Sequence, residues 1–198
     1  MTEGFIPPHG GYRKLLSYQR AEVVYDATVR FCQRYFDRRD RTVDQMVQAA
    51  RSGKQNIIEA SMASGTSKET EIKLTNVARA SLEELLADYR DFLRVRGIGE
   101  WPKEHPFARR LAQLVRTPGA TYDTFKKAVE NPDPAIAANA IIGLIKTATY
   151  LLDRQLRQLE QAFLKEGGLR ERMTRARIDH RDRHAATRGA ARAASQPK

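Results

Sequence analysis

The chain has 198 residues, 41% hydrophobic and 30% charged, and its 35 Lys and Arg outnumber 24 Asp and Glu for a net charge of +11. That length suits one domain with a real core, and the lone Cys32 excludes a disulfide framework and a cysteine-built zinc site, in keeping with a reducing cytoplasm. Charged or amide side chains break every apolar run, so no bilayer-spanning segment is expected, and the opening MTEGFIPPHGGYRK lacks the apolar stretch of a secretion signal.

Residues 1–11 read as an N-terminal arm. A first helix is expected from about Tyr12 to Phe36 on the stripe Leu16, Val23, Ala27, Phe31 and Tyr35. A second follows a capping box of Thr42 and Gln45 and runs to about Met62, before Ser64-Gly65. A third opens on a capping box of Thr66 and Glu69. Its stripe is Leu74, Val77, Ala78, Leu82, Leu85, Leu86, Tyr89 and Leu93, and Gly97 is its expected stop. Residues 98–132 hold two short amphipathic pieces, Pro106–Val115 and Tyr122–Val129, between breakers. Asp133-Pro134 then starts a long helix carrying Ile141, Ile145, Ala148, Leu152, Leu156, Leu159 and Phe163 to about Lys165. Gly167-Gly168 closes it, and a short basic helix is expected from Leu169 to about Arg183. The resulting expectation is all-α: an antiparallel up-and-down four-helix bundle over 12–166. The insertion 98–132 would pack as a flap between the third and fourth long helices, with a basic suffix at 167–184 and a disordered tail at 185–198.

The charge is unevenly spread. Residues 1–66 carry ten bases and seven acids, residues 67–164 fifteen and thirteen, and residues 165–198 ten and four. A basic tail on a nearly balanced body points to a polyanion, most commonly nucleic acid. The first-helix bases Arg13, Lys14, Arg20, Arg30 and Arg34, extended by Arg38, Arg39 and Arg41, form one expected surface. The suffix bases Arg170, Arg172, Arg175, Arg177, Arg181 and Arg183 form the second. The competing reading pairs the first-helix bases with Glu22, Asp26, Asp37 and Asp40 as a solvated face.

No catalytic constellation is visible. No Glu precedes a His by three residues, so di-iron bundle chemistry lacks its ligands. His180 and His184 stand four apart in a polar tail and read as solvated, so no metal site is expected. Ser52-Gly53-Lys54 lacks the leading glycine of a phosphate loop and lies mid-helix. Cys32 reads as packing. Ser52, Asn56, Glu59 and Ser81 are expected to form a polar network fixing helix register, with Gly53 permitting close helix approach.

Two stretches carry a resemblance. Ser52, Asn56, Ile57 and Glu59, followed by Ala78, Ser81, Leu82, Glu84 and Leu85, resemble the signature of the 23S rRNA intervening-sequence proteins, with Ala60 standing where that family has Gly. Ala137, Ala138, Asn139, then Tyr150 to Gln155, then Gly167, Gly168, Glu171 and Arg172 resemble its suffix-domain branch, in the superfamily of the accessory variability determinants. The lone cysteine points to the cytoplasm, and the resemblance implies a homopentameric, non-enzymatic accessory protein. It would bind RNA or DNA, with a reverse transcriptase of a diversity-generating retroelement as partner and no cofactor. The alternative is a scaffold that docks a partner enzyme through Trp101, Pro102, Phe107, Tyr122 and Phe125.

Overall fold

The computed structural model describes residues 6–37, 39–115, 117 and 119–194, with 188–194 described by backbone alone. It is all-helical, with no strand among the described residues. After a 3-10 turn at Tyr12–Lys14 come α1 (Leu16–Tyr35), α2 (Arg41–Ala63), α3 (Lys68–Arg94), α4 (Pro106–Val115), α5 (Tyr122–Val129), α6 (Pro134–Glu166) and α7 (Leu169–Ala194).

Local chemistry sets the helix ends. Neither expected threonine is the cap. Asp40 Oδ1 accepts the Thr42 N–H at 2.9 Å to open α2, and Ser67 Oγ accepts the Thr70 N–H at 3.1 Å to open α3. A cap must be extended and bond an N–H two or three residues on, which Asp40 and Ser67 do. Asp133 and Pro134 open α6 as expected. Gly97 takes φ 66°, and the Ile98 N–H turns back to the Leu93 carbonyl at 3.0 Å, closing α3. Ala60 continues α2, so the turn falls at residues 64–67.

The core lies among α1, α2, α3 and α6. α2 packs on α1 and α3, and α6 packs on the other side of the same two helices. α1 and α6 run antiparallel: Ser17 donates to Gln155 late in α6, and the Tyr35 hydroxyl reaches the Asn131 carbonyl just before α6. Ile57, Leu82, Leu85, Leu93, Ile141, Leu144 and Ile145 are fully buried, each contributing about 1.5–3 kcal/mol. At one end Phe31 packs 4.8 Å from Phe92 and 4.9 Å from Tyr89, whose hydroxyl donates to Thr28. A Cβ at Gly53 would lie 2.7 Å from Leu82 Cδ2, so the glycine does let α2 and α3 close. Cys32 is buried in this core.

Some expectations fail. Leu16, Val77 and Phe163, placed on apolar stripes, are 50%, 45% and 40% exposed. α6 runs on to Glu166 beyond Gln155, so Phe163 has no α1 partner, and Val77 lies outside the α2–α3 seam. The insertion sits between α3 and α6 only at its start, where Glu100 pairs with Arg90 of α3 and Lys146 of α6; α4 packs on α6, and α5 on α6 and α1. α6 itself contains an 18-residue window of mean hydropathy 1.5, against the expectation that no helix is long and apolar enough to cross a membrane; 61% of the window is buried. α7 extends to Ala194, through most of the stretch expected to be disordered. Residues 195–198 lie outside the described residues.

Candidate nucleic-acid interface

The structure splits the first expected surface. Arg20 is withdrawn from it, 1% exposed. Its guanidinium donates to the Val115 carbonyl from both Nε (3.1 Å) and Nη2 (2.8 Å), to Ala120 at 2.8 Å and to Thr117 at 3.3 Å. These are carbonyls at the end of α4 and in the following turn, where Thr117 also accepts the Ala120 N–H at 3.3 Å. A helix C-terminus leaves such acceptors unpaired and favours a cation there. Burial pulls the guanidinium below its ordinary value. Arg20 therefore fastens the insertion to α1 and is closed to phosphate.

The remaining bases form two groups at opposite ends of α1, which spans about 30 Å. Arg13 and Lys14 are exposed in the 3-10 turn, at the end from which α7 departs. Arg30, Arg34, Arg39 and Arg41 are exposed at the other end; Arg38 lies outside the described residues. Arg96, from just beyond α3, joins this second group and lies 3.7 Å over the Phe92 ring. No sequence signal marked it, because it reaches the cluster only through the antiparallel return of α3.

The carboxylates expected to neutralise these bases have other uses. Glu22 accepts from the Tyr18 hydroxyl at 2.7 Å, Asp37 from the Arg39 backbone N–H, and Asp40 caps α2. The Thr42 backbone N–H holds the Asp40 carboxyl below its ordinary value, whereas burial pushes Asp26 up. Glu130 also lies within electrostatic reach of this end. The Tyr122 hydroxyl lowers it first, and Lys126, Arg30 and Arg34 add to that. Among the described residues, none of Arg13, Lys14, Arg30, Arg34, Arg39 and Arg41 has an ion-pair partner within 4.0 Å.

The suffix bases divide differently. Arg170, Arg175, Arg177, Arg181 and Arg183 are exposed on α7. Arg172 is half-buried: its Nη2 donates to the Gly65 carbonyl at 3.3 Å, and its Nε is buried without a partner. Arg175 also donates to the Glu166 carbonyl, tying α7 back to the end of α6. Arg181 and Asp182 pair at 3.6 Å, both exposed.

The polar network forms without Glu59. Ser52 Oγ and Ser81 Oγ are 3.0 Å apart, Asn56 Nδ2 donates to the Ser52 carbonyl (2.8 Å) and to its Oγ (3.1 Å), and Ser81 donates to the Val77 carbonyl. The three residues are half-buried, while Glu59 is exposed. Lys54 lies 4.2 Å over the Tyr25 ring, within α2 as expected for a residue that is no phosphate loop. Burial pushes the Cys32 thiol up to about 12. His180 and His184 approach to 3.2 Å between Nε2 atoms, with no third ligand type beside them among the described residues.

Trp101 and Phe107 remain accessible, the latter 55% exposed. The other aromatics of the insertion do not: Phe125 is 1% exposed, and the Tyr122 hydroxyl is bonded to Glu130 at 2.7 Å. No protein-family model, curated protein or solved structure matches the chain.

Proposed function

We propose that this is a non-enzymatic nucleic-acid-binding accessory protein, with α1, α2, α3 and α6 as an antiparallel up-and-down four-helix bundle that carries α7 as a basic arm. The observation that carries the reading is α7 itself. It exposes Arg170, Arg175, Arg177, Arg181 and Arg183 on a helix with no fully buried residue and one ion pair among its described side chains. Twenty-six residues span about 39 Å at about 1.5 Å each, and a free helix of that kind fits a duplex groove or tracks a phosphate backbone. Each phosphate it neutralises releases counterions. The resemblance adds, within the same proposal, a homopentamer that multiplies this charge and a reverse-transcriptase partner, and the lone cysteine adds a cytoplasmic setting.

Fluorescence anisotropy with a labelled DNA duplex and an RNA hairpin, between about 50 and about 200 mM salt, tests the reading. A slope of log affinity on log salt of about −3 or steeper is expected. A chain ending at residue 166 keeps its helical body and loses most of that slope. No binding at low salt overturns the function; an unchanged slope in the shortened chain removes α7 from it.

A further inference from the structure

The insertion holds an aromatic pocket that the basic helices do not use. It lies between α4, α5 and α6, encloses about 380 Å³, and is lined by Trp101, Phe107, Leu114 and Ile136 with Arg110 and Lys127 among its walls. That volume lies in the range of small-molecule sites, about 300–1,000 Å³. We propose that this pocket receives an unstacked base of a single-stranded nucleic acid while Arg110 and Lys127 hold the neighbouring phosphates. This rests on the nucleic-acid reading and adds the strand type to it.

The aromatic wall is built and held. Trp101 stacks on His105 at 4.6 Å with ring planes 9° apart, and Phe107 lies 5.6 Å from the indole at 37°. Asn139, 3% exposed, fixes the segment before it: its Oδ1 accepts the Trp101 N–H at 2.7 Å, and its Nδ2 donates to the carbonyls of Gly99 and Ala135. The indole thus has a set position at the start of α6. Phe107 beside it, 55% exposed, offers aromatic surface to solvent, which base stacking needs and every base can use.

Charge complementarity selects a nucleic acid strand. α4 has Arg109 and Arg110 and no carboxylate, and α5 ends on Lys126 and Lys127 with its one acid, Asp123, in the first turn. Arg110 and Lys127 are both exposed. Apolar stacking walls flanked by cations match the alternation of base and phosphate along a single strand. A duplex keeps its bases stacked away from such a pocket.

Trp101 is the single tryptophan of the chain, so its fluorescence reports the pocket directly. The full-length protein is titrated with a short oligothymidylate, the same strand paired in a duplex, and inorganic polyphosphate. Quenching by the single strand alone is expected. Phe107→Ala should weaken single-strand binding about 10-fold while leaving duplex affinity and far-ultraviolet circular dichroism unchanged. Phe107→Leu, which keeps the apolar volume, should lose as much. Equal quenching by polyphosphate, or equal losses on single strand and duplex, overturns the pocket. Quenching by an acidic aromatic peptide without quenching by the oligonucleotide overturns it in favour of protein docking. Binding seen by anisotropy with a silent Trp101 overturns the pocket alone; no binding at all overturns both readings.

Discussion

α6 and α7 follow one another across Gly167-Gly168, yet they are helices for opposite reasons. α6 buries Ala137, Ala138, Ile141, Leu144, Ile145, Ala148 and Leu152 against α1 and α3. No described side chain of α7 is fully buried, and it touches the body through the half-buried Arg172 at Gly65 and through Arg175 at Glu166. Tertiary packing supports the first. The second depends on the intrinsic preference of alanine and arginine, which suffices only in a long helix. The charge therefore sits on the element whose order is least tied to the core, where local opening costs least.

Thiol reactivity should separate the two regions by the largest factor. The Cys32 thiol stands at about 12 against an ordinary 9.0, with burial as the main cause. At pH 8 its thiolate, the reactive form, is scarcer about a thousandfold than in the unfolded chain. A cysteine introduced as Ala186→Cys, on exposed α7, should react with a disulfide reagent at the unfolded rate while Cys32 does not. Comparable rates would deny the difference between the two regions. The sign for stability follows. Below pH 9 both states keep the proton; above it the unfolded thiol ionises first, so stability falls from about pH 9 towards about 12.

Arginine substitutions come next. Arg20→Met leaves the Val115 and Ala120 carbonyls unpaired, and chemical denaturation should show a loss of about 3 kcal/mol or more, with faster amide exchange across residues 111–125. Arg34→Ala, on the same helix but exposed, should stay within about 0.5 kcal/mol. Equal effects would mean that Arg20 is no clamp.

Backbone-level changes give the smallest effects. Gly53→Val forces a side chain against Leu82 and should cost about 1–3 kcal/mol by denaturant midpoint. Ala185→Gly should lower helix content by circular dichroism, with a local cost of about 0.5–1 kcal/mol, and leave the denaturant midpoint unmoved. A shifted midpoint would show that α7 belongs to the cooperative body after all.

The helical class, the glycine stop at Gly97 and the packing role of Cys32 were legible because each is local. Arg20 was legible in part: it falls on the stripe of Leu16, Val23 and Ala27, but a charge on an apolar stripe reads as surface until its partners are known. Those partners lie 95 to 100 residues away, and no pattern along the chain points to them. Separation along the chain likewise hid the placement of the insertion and the arrival of Arg96. Glu59 follows Asn56 by three residues, yet it is exposed while Ile57, Ala60 and Ser61 around it are buried, so it falls off the packed side of α2. The alanine-rich end of α7 reads as disordered from its place at the terminus, although its residues favour helix.

One torsion governs where the basic arm aims. Gly167 closes α6 at φ 73°, a value open to glycine at little cost, and the next residue is a second glycine. A lever about 39 Å long stands on that pivot, so a swing of about 10° displaces its far tip by about 7 Å. Steering α7 across targets of different curvature thus requires no repacking of the interior, and exchanging Gly167 for alanine would alter the direction of reach while leaving the charge it delivers intact.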